Sequence, residues 1–555
     1  MTDRLSIALA QLDPMVGDIA GNAERLRRAR AEAAAAGADL VLTPELFLSG
    51  YPPDDLVLKP AFTAGLRAAA EALAAETADG GPGLLVGLPW AENGHVYNAV
   101  ALMDGGRIQG LRFKVDLPNY GVFDEKRVFA AGPMPGPLAF RGVRIGVPIC
   151  EDIWTPDVVE CLEESGAELL LVPNGSPFEQ DKPDERLNAV AVPRVVESGL
   201  PLAYVNQVGG QDEMVYDGAS FVLNADRTLA VQAPAWQEGV VLTDWRRMND
   251  GWRCLPRPIS PPEGGLAAIY QALVLGLRDY VRKNRFPGVI LGLSGGIDSA
   301  LCAALAADAL GPQAVQCVMM PYRYTSRDSL EDAGEVARLL GVTLDTIPIG
   351  PAVDAFGAML APAFAGREPD ITEENIQSRC RGLTLMALSN KFGRMVLSTG
   401  NKSEMSAGYA TLYGDMCGGF AVLKDVYKTT VFALSRWRNA QAAALPVGLL
   451  GPAGPVMPER VITKPPTAEL RAGQTDEASL GAYATLDAVL HGLVEQEKSV
   501  AEIVAAGHDE AYVRRVWRML DRAEYKRRQA PPGVKITRRA FGRDRRYPIT
   551  NGFQG

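Results

Sequence analysis

Apolar strand-like runs alternate with segments of helical apolar spacing through the first 240 residues or so. The runs are LSIALAQL, ADLVLTPELFL, GLLVGLPW, VRIGVPIC, AELLLVPNGS and LPLAYVNQV, and the helical spacing is found near 22–36 and 66–76. Turn residues separate paired runs in NAVALMDGGRIQGLRF and GASFVLNADRTLAVQ, which predicts two β-hairpins. This pattern predicts an α/β unit with mixed sheets and helices outside them.

A second alternating series follows a break in the pattern. Residues 246–265, RRMNDGWRCLPRPISPPEGG, are rich in Pro and Gly and predict a connector, so we expect domains at 1–245 and 266–555. The later strand-like runs are GVILGL, AVQCVMMP, TLDTIPI and RMVLSTG, with helical spacing near 329–340 and 373–391. Such βαβ alternation predicts a doubly wound parallel sheet with ligands beyond the carboxyl ends of its strands.

Composition and charge narrow the class of protein. A chain of 555 residues is too long for one ordinary core, and 47% hydrophobic with 22% charged residues is typical of packed domains. The net charge of -10 argues against a protein that coats nucleic acid. No signal-like N-terminus or membrane-length apolar stretch is found, which predicts a cytoplasmic protein without membrane spans.

Cysteine and histidine usage excludes some chemistries. The seven cysteines lack CxxC spacing, so the sequence predicts neither a disulfide framework nor a zinc knuckle. None of the three histidines lies in a local catalytic motif. We therefore expect a base other than imidazole.

The segment SGGIDS lies between a strand-like run and an Ala/Leu-rich helix, a setting that suits an anion. Gly295 and Gly296 allow close approach of phosphate oxygens, and Ser294 and Ser299 can donate hydroxyl hydrogen bonds. A carboxylate beside phosphate needs a divalent cation between them, so Asp298 is predicted to bind Mg²⁺. The alternative is a glycine-rich turn before an ordinary helix. SGGIDS resembles the signature of ATP pyrophosphatases rather than the Walker motif, which implies ATP as a co-substrate.

Three residues of the first domain form a second candidate site. Glu45, Lys114 and Cys150 each end or follow an apolar run, so they could meet at one sheet edge. An ammonium lowers the pKa of a nearby thiol, a carboxylate can accept its proton, and lysine can stabilise an oxyanion. Taken singly, a buried cysteine is most often inert core and the two charges are most often solvated or paired.

In this order the three contexts resemble the Glu-Lys-Cys amidases of the nitrilase superfamily. The resemblance implies an αββα sandwich, with Glu45 as general base, Lys114 steadying the tetrahedral intermediate and Cys150 forming a glutamyl thioester. It also implies an additional carboxylate at Glu125. Further residues are predicted to line a glutamine pocket: Tyr51, Tyr120, Phe123 and Ser176.

The fusion of both parts resembles the glutamine-dependent NAD⁺ synthetases over nearly the full chain. ENIQSRCRG, STGNKSEMSAGYATLYGDMCGG, VLKDVYKTTV, KPPTAELRAGQTDE and FGRDRRYPITNGF carry the resemblance in the second half. It implies an adenine nucleotide α-hydrolase-like, Rossmann-like second domain and a homo-oligomer. The implied reaction adenylates deamido-NAD⁺ with ATP, and ammonia freed from glutamine and passed through an enclosed route then displaces AMP.

The same resemblance implies contacts in the second domain. Arg379 and Thr399 are expected to contact ATP, and Glu404 is expected to join Asp298 as a metal ligand. Contacts with deamido-NAD⁺ are expected from Asn375, Glu404, Asp415, Lys428, Lys464 and Thr467.

Two rival functions remain open from the sequence. Another ATP pyrophosphatase that uses glutamine nitrogen, such as a GMP- or asparagine-forming enzyme, would share the phosphate loop but carry a different amidase domain. An enzyme that adenylates RNA bases would use the basic segment 526–546 to hold tRNA. We expect no nucleic-acid partner, because the phosphates of a dinucleotide are sufficient for that segment. A non-catalytic interaction protein is disfavoured by intact motifs in both halves.

Overall fold

The computed structural model describes residues 3–441 and 448–553, and the chain divides into two compact units, Met1–Gly264 and Gly265–Gly555. The strands of the first unit are β1 (Arg4–Gln11), β2 (Leu40–Leu42), β3 (Gly83–Glu92), β4 (His95–Asp104), β5 (Arg107–Phe113), β6 (Leu138–Phe140), β7 (Val143–Gly146), β8 (Leu169–Asn174), β9 (Leu202–Asn206), β10 (Val208–Gln211), β11 (Met214–Asp217), β12 (Phe221–Leu223), β13 (Leu229–Gln232), β14 (Gly239–Met248) and β15 (Gly251–Cys254). Its helices are α1 (Ile19–Ala35), α2 (Pro60–Glu76), α3 (Asp157–Glu164), α4 (Lys182–Asp184) and α5 (Val192–Ser198), with a π-helical segment at Glu185–Ala191.

Two sheets form the centre of the first unit. One has the strand order β15-β14-β1-β2-β3-β4-β5 and the other β13-β12-β9-β8-β7-β6. Strands β10 and β11 pair separately. The two predicted hairpins are β4–β5 and β12–β13, and both are confirmed.

The sheets pack face to face, and each outer face is covered by helices. Leu5 of β1 and Leu171 of β8 belong to one buried cluster between the sheets. Because side chains alternate along a strand, Ala8 of β1 faces the other way and packs with Leu26 of α1. On the second sheet, Leu170 likewise faces the cluster that contains α3. The layers are helix, sheet, sheet and helix, which confirms the predicted αββα sandwich.

The structure differs from the sequence prediction at the start of the connector. Strand β14 pairs antiparallel with the whole of β1, from Arg4 opposite Arg246 to Gln11 opposite Gly239, and β15 pairs with β14. Trp252 and Cys254 are buried on one face of β15. Residues 246–254 therefore belong to the first sheet, because the short period-two pattern of GWRC buries two side chains despite the Gly and Pro around it.

The second unit contains one parallel sheet. Its strands are β16 (Val289–Gly292), β17 (Val315–Met319), β18 (Thr343–Thr346), β19 (Met395–Ser398) and β20 (Phe420–Ala421). Its helices are α6 (Gly265–Lys283), α7 (Ile297–Leu310), α8 (Arg327–Leu340), α9 (Gly350–Leu360), α10 (Ile371–Phe392), α11 (Lys402–Ala407), α12 (Lys428–Asn439), α13 (Glu459–Thr463), α14 (Asp476–Leu480), α15 (Tyr483–Val494), α16 (Val500–Ala505), α17 (Glu510–Arg522) and α18 (Glu524–Arg527).

The strand order of this sheet, β18-β17-β16-β19-β20, confirms the predicted doubly wound fold. The chain begins the sheet at its centre, builds outward to β18, and then returns to the other side of β16. A crevice opens where this order reverses, beyond the carboxyl ends of β16 and β19. The topology therefore places the SGGIDS turn, which directly follows β16, at the position where ligands bind in such sheets.

The basic C-terminal segment is paired within its own unit. Arg527 and Arg545 are about 5% exposed, and each lies 2.8 Å from a carboxylate oxygen of Glu524. Lys535 is buried 3.5 Å from Asp544. Much of this positive charge is compensated internally.

Among the described residues, no helix has the length and apolarity needed to cross a bilayer.

Candidate active sites

The first site lies where three strands of the sandwich end. Glu45 follows β2, Lys114 directly follows β5, and Cys150 follows β7 and opens a short 3₁₀ turn, Cys150–Ile153. Glu45 and Lys114 have no exposed area, and Cys150 is 5% exposed. The strand ends thus carry three reactive side chains from distant parts of the sequence into one buried region.

A buried ammonium between two carboxylates dominates this site. Lys114 Nζ lies 2.7 Å from Glu45 Oε1 and 3.0 Å from both carboxylate oxygens of Glu125. The Tyr51 hydroxyl donates to Glu125 Oε1 at 2.9 Å. Burial acts to lower the pKa of Lys114, but Glu125 and Glu45 outweigh it and hold that pKa well above its usual value. Burial and the charge of Glu45 raise the pKa of Glu125 to about 7, although Lys114 and the hydrogen bond from Tyr51 act to lower it.

Two further donors orient Glu45, and the sequence analysis missed both. Asn98 Nδ2 donates to Glu45 Oε1 at 2.7 Å, and the backbone N–H of Gly175 donates to Oε2 at 2.9 Å. Glu45 is therefore held at both oxygens. No local motif marks Asn98, which lies within a predicted hairpin strand and reaches Glu45 only through the pairing of β3 with β4.

The pKa of the Cys150 thiol is raised, whereas a nearby ammonium was expected to lower it. Burial raises the pKa of Cys150 well above its usual value, Glu45 adds to this rise, and Lys114 opposes it without reversing it. The thiol is therefore protonated in the free chain, and it would have to give its proton to a base before it could act as a nucleophile. Cys150 also has a φ of 47°, a left-handed conformation that few non-glycine residues adopt.

The predicted glutamine-pocket residues occupy different depths. Tyr120 is half exposed, its hydroxyl donates to Glu151 Oε1 at 2.9 Å, and Phe123 packs edge-on against its ring. Ser176 is buried, and its Oγ accepts a hydrogen bond from Arg186 Nε at 2.9 Å. Tyr120 and Phe123 are thus more accessible to a substrate than Ser176.

Glu151 and Lys182 were also missed, and they bring opposite charges to the same region. Burial raises the pKa of Glu151, while the hydrogen bond from Tyr120 and the charges of Lys114 and Lys182 oppose this. Lys182 Nζ lies 4.4 Å from the centre of the Trp154 ring. A carboxylate and an ammonium in the same region suit the two charges of an amino-acid head group.

The second site is a cavity of about 270 Å³ in the parallel-sheet unit. Five of the predicted ATP contacts line it: Ser294, Gly296, Asp298, Ser299 and Thr399. Gly295 does not line it, but its φ is 82° and a Cβ there would lie 2.2 Å from the carbonyl oxygen of Ser329. The turn can therefore contain only glycine at this position.

Asp298, Glu404 and Lys428 form a charged cluster in the cavity wall. Asp298 accepts hydrogen bonds from Asn401 Nδ2 at 2.8 Å and from Lys428 Nζ, which also lies 3.6 Å from Glu404 Oε1. Burial and the charge of Asp298 raise the pKa of Glu404 to about 8. No group of three or more acidic, histidine or cysteine side chains within the described ranges could hold a metal alone. Two carboxylates completed by substrate phosphates fit Mg²⁺, which commonly binds in that way.

The remaining predicted contacts divide into lining and non-lining residues. Asp415, Lys464 and Thr467 line the cavity with Glu404 and Lys428, and burial raises the pKa of Asp415 to about 6. Asn375 and Arg379 do not line it. Asn375 Oδ1 accepts from Thr411 at 3.0 Å, and Arg379 is exposed with Nε donating to the carbonyl oxygen of Leu412.

Arg381 lines the cavity and was missed by the sequence analysis. It stands two residues after Arg379 on α10, and residues two apart on a helix face different directions. The segment ENIQSRCRG contains both arginines, so only the orientation of α10 distinguishes them.

The fold and the two sites together define a class: a two-unit α/β enzyme that combines a carbon-nitrogen hydrolase with a nucleotide-binding synthase. Residues 6–248 match the carbon-nitrogen hydrolase family model, and residues 269–530 match the NAD synthase model. The chain is 53% identical to the glutamine-dependent NAD(+) synthetase of Rhodobacter capsulatus and 47% identical to that of Acinetobacter baylyi, covering 98–99% of each chain. A glutamine-dependent NAD⁺ synthetase structure from Acinetobacter baumannii, in complex with ADP, aligns with a TM-score of 0.78 at 45% identity over 99% of both chains. The chain belongs to the family of glutamine-dependent NAD⁺ synthetases.

The raised pKa of Cys150 predicts how its alkylation depends on pH. In the absence of glutamine, the rate of Cys150 modification by iodoacetamide should keep rising above pH 9, because burial and Glu45 keep the thiol protonated at lower pH. Mass spectrometry of the Cys150 peptide separates this reaction from that of the partly exposed Cys161 and Cys417. A plateau reached near pH 7 would show a stabilised thiolate and contradict the prediction.

Proposed function

We propose that this chain converts deamido-NAD⁺, ATP, glutamine and water to NAD⁺, AMP, diphosphate and glutamate. One unit releases ammonia from glutamine, and the other activates the acceptor carboxylate and consumes the ammonia. The proposal is supported by family membership over the full chain and by a reactive constellation in each unit. The observation that carries it is the buried Lys114, Glu45 and Glu125 network beside Cys150 in a chain that also holds the SGGIDS cavity.

The first half-reaction uses the buried network and the thiol. Glu45 accepts the Cys150 proton as sulfur attacks the carboxamide carbon of glutamine, and Lys114 stabilises the resulting oxyanion. The carbon–nitrogen bond then breaks, and the proton held by Glu45 leaves with ammonia. Water attacks the thioester, with Glu45 as base, and releases glutamate and the free thiol. Tyr120, Phe123, Tyr51 and Ser176 remain predicted parts of the pocket.

The charged pair near this pocket fits the head group of the substrate. Glu151 and Lys182 provide a carboxylate and an ammonium that suit the α-ammonium and α-carboxylate of glutamine. Glu125 also pairs with the Lys114 ammonium and, with Glu45, keeps it charged. This division leaves Glu45 as the carboxylate that exchanges protons.

The second half-reaction takes place in the cavity of the parallel sheet. The carboxylate of deamido-NAD⁺ attacks the α-phosphorus of ATP, diphosphate leaves, and ammonia then displaces AMP from the acyl adenylate. Backbone N–H groups of the SGGIDS turn and the start of α7 suit the phosphates, with Ser294 and Ser299 as hydroxyl donors. Lys428, Lys464 and Arg381 supply positive charge in the wall. Arg379 and Asn375 remain predicted contacts.

Asp298 and Glu404 would hold Mg²⁺ together with the phosphates. When bound there, the ion neutralises phosphate charge and relieves the repulsion between the two carboxylates. The pKa of Glu404, raised by burial and by Asp298, reflects that repulsion.

A single product assay tests the overall proposal. Purified chain supplied with ATP, glutamine and deamido-NAD⁺ should form NAD⁺, AMP and glutamate together. Glutamate without NAD⁺ under these conditions, or ATP turnover that required RNA instead of deamido-NAD⁺, would exclude the proposed reaction.

Replacement of the nucleophile should separate the two nitrogen sources. Cys150→Ala is expected to lower glutamine-dependent NAD⁺ synthesis by at least about 10³-fold, because removing a nucleophile abolishes the covalent route. Synthesis at saturating ammonium should stay close to wild type, since the second cavity is untouched. Cys161→Ala, the same change in α3 of the same unit, is the matched control and should affect neither rate. Retained glutamine use in Cys150→Ala would reject Cys150 as nucleophile.

Replacement of the candidate metal ligand should stop both routes. Asp298→Ala is expected to reduce synthesis roughly 10²-fold or more with either nitrogen source, because phosphate charge is left uncompensated. Calorimetry should show weaker binding of Mg²⁺–ATP. Asp328→Ala, at an exposed carboxylate on α8, serves as the control. Full ammonium-driven activity in Asp298→Ala would remove Asp298 from the metal site.

We also propose that the chain forms a homo-oligomer through α9 and α10. Helix α9 has no buried residue, and Met359, Ile371 and Leu383 are each more than 60% exposed. Large apolar side chains exposed on two helices that pack together favour an interface there. The double variant Met359→Glu/Leu383→Glu should reduce the mass measured by light scattering after gel filtration, whereas Leu58→Glu in the first unit should not. An unchanged mass would place any interface elsewhere.

A further inference from the structure

Asp152 accepts three backbone hydrogen bonds beside the nucleophile. Its side chain is buried, and Oδ2 accepts from the N–H of Ile149 at 2.9 Å. Oδ1 accepts from the N–H groups of Val115 at 3.0 Å and Asp116 at 2.8 Å. One carboxylate therefore spans two segments that are more than thirty residues apart in sequence.

Both segments carry a catalytic side chain. Ile149 immediately precedes Cys150, and Val115 immediately follows Lys114. The Val115 and Asp116 N–H groups lie beyond the end of β5, outside the ladder of the sheet. Buried N–H groups need acceptors, and Asp152 provides one for each segment.

The hydrogen bonds that Asp152 accepts from Val115 and Asp116 are not needed to form the turn at Cys150. The bond from Ile149 alone caps the 3₁₀ turn that Cys150 begins. Cys150 also has the left-handed φ of 47°, and a strained residue persists only when its surroundings hold it in place. Asp152 fixes the backbone on the N-terminal side of this strained residue and anchors it to the segment that positions the Lys114 ammonium.

We propose that Asp152 is a positioning residue for thioester formation, fixing the backbone of Cys150 relative to Lys114. This inference rests on the proposed function, because it takes Cys150 as the nucleophile. Asp152 does not exchange protons with glutamine in this role. Its effect is to keep the sulfur and the oxyanion-stabilising ammonium in register, which matters because small displacements of reacting groups slow catalysis steeply.

The variant Asp152→Asn tests the role with almost no change in shape. The amide oxygen can still accept from Val115 and Asp116, but its NH₂ group then faces the N–H of Ile149, and the Cys150 segment is released. Glutamine-dependent activity should fall about 10- to 100-fold, mainly in kcat rather than KM. Ammonium-dependent synthesis should stay close to wild type. Asp18→Asn, at a carboxylate that caps α1 by accepting from Gly21, is the matched control and should leave both activities unchanged.

Alkylation of Cys150 provides a readout that a purely structural role would not change. The rate of iodoacetamide modification at fixed pH should differ from wild type in Asp152→Asn while the unfolding temperature of the first unit stays within a few degrees. If Asp152→Asn fails to fold, Asp152→Glu keeps the carboxyl group and both acceptor oxygens but shifts them by one methylene, and the same loss of kcat is expected. Wild-type kcat and alkylation rate in whichever variant folds would overturn the positioning role. Because Cys150→Ala tests the nucleophile separately, that result would leave the proposed function intact.

Discussion

The candidate active site of the first unit depends on one buried ammonium. Lys114 has no exposed area, and burying a charge is costly unless it is well paired and hydrogen-bonded. Glu45 and Glu125 supply that pairing at 2.7 and 3.0 Å, and Asn98, Gly175 and Tyr51 hold the carboxylates in turn. The geometry is therefore set before substrate arrives.

Burial and the balance of charge together explain the state of the thiol. Burial is the larger cause of the raised pKa of Cys150, and Glu45 adds to it while Lys114 opposes it, so the site favours a neutral thiol in the free chain. A thiol kept protonated is protected from adventitious reaction, and in the proposed reaction it would be activated only when glutamine brings its carbonyl to the site. The same excess of negative charge recurs in the second unit, where Lys428 compensates Asp298 and Glu404. There the excess suits a divalent cation that arrives with phosphate, whereas in the amidase site the lysine is a permanent part of the structure.

Several features could be read from the sequence because they depend on local pattern. Alternation of strands and helices predicted both sheets, and the SGGIDS turn was placed correctly after a central strand because strand, glycine turn and helix adjoin in sequence. The predicted connector, 246–265, begins before the first sheet ends. Strand β15 is only four residues long, so its pairing with β14 leaves no sustained periodicity in the sequence. Arg381 was missed because the direction a helix faces is decided by what it packs against.

The sequence by itself determined which chemistry is possible: a thiol, a lysine and two carboxylates in apolar contexts, and a glycine turn suited to phosphate. These are properties of residue type and of neighbouring residues, so they can be recognised before the fold is known. Only the tertiary structure decided which groups touch. Asn98, Gly175 and Asp152 join residues from separate strands, and the pKa of Cys150 depends on burial and on charges brought from distant positions. Electrostatic energies vary with distance and solvent exposure, and neither quantity exists until the chain has folded.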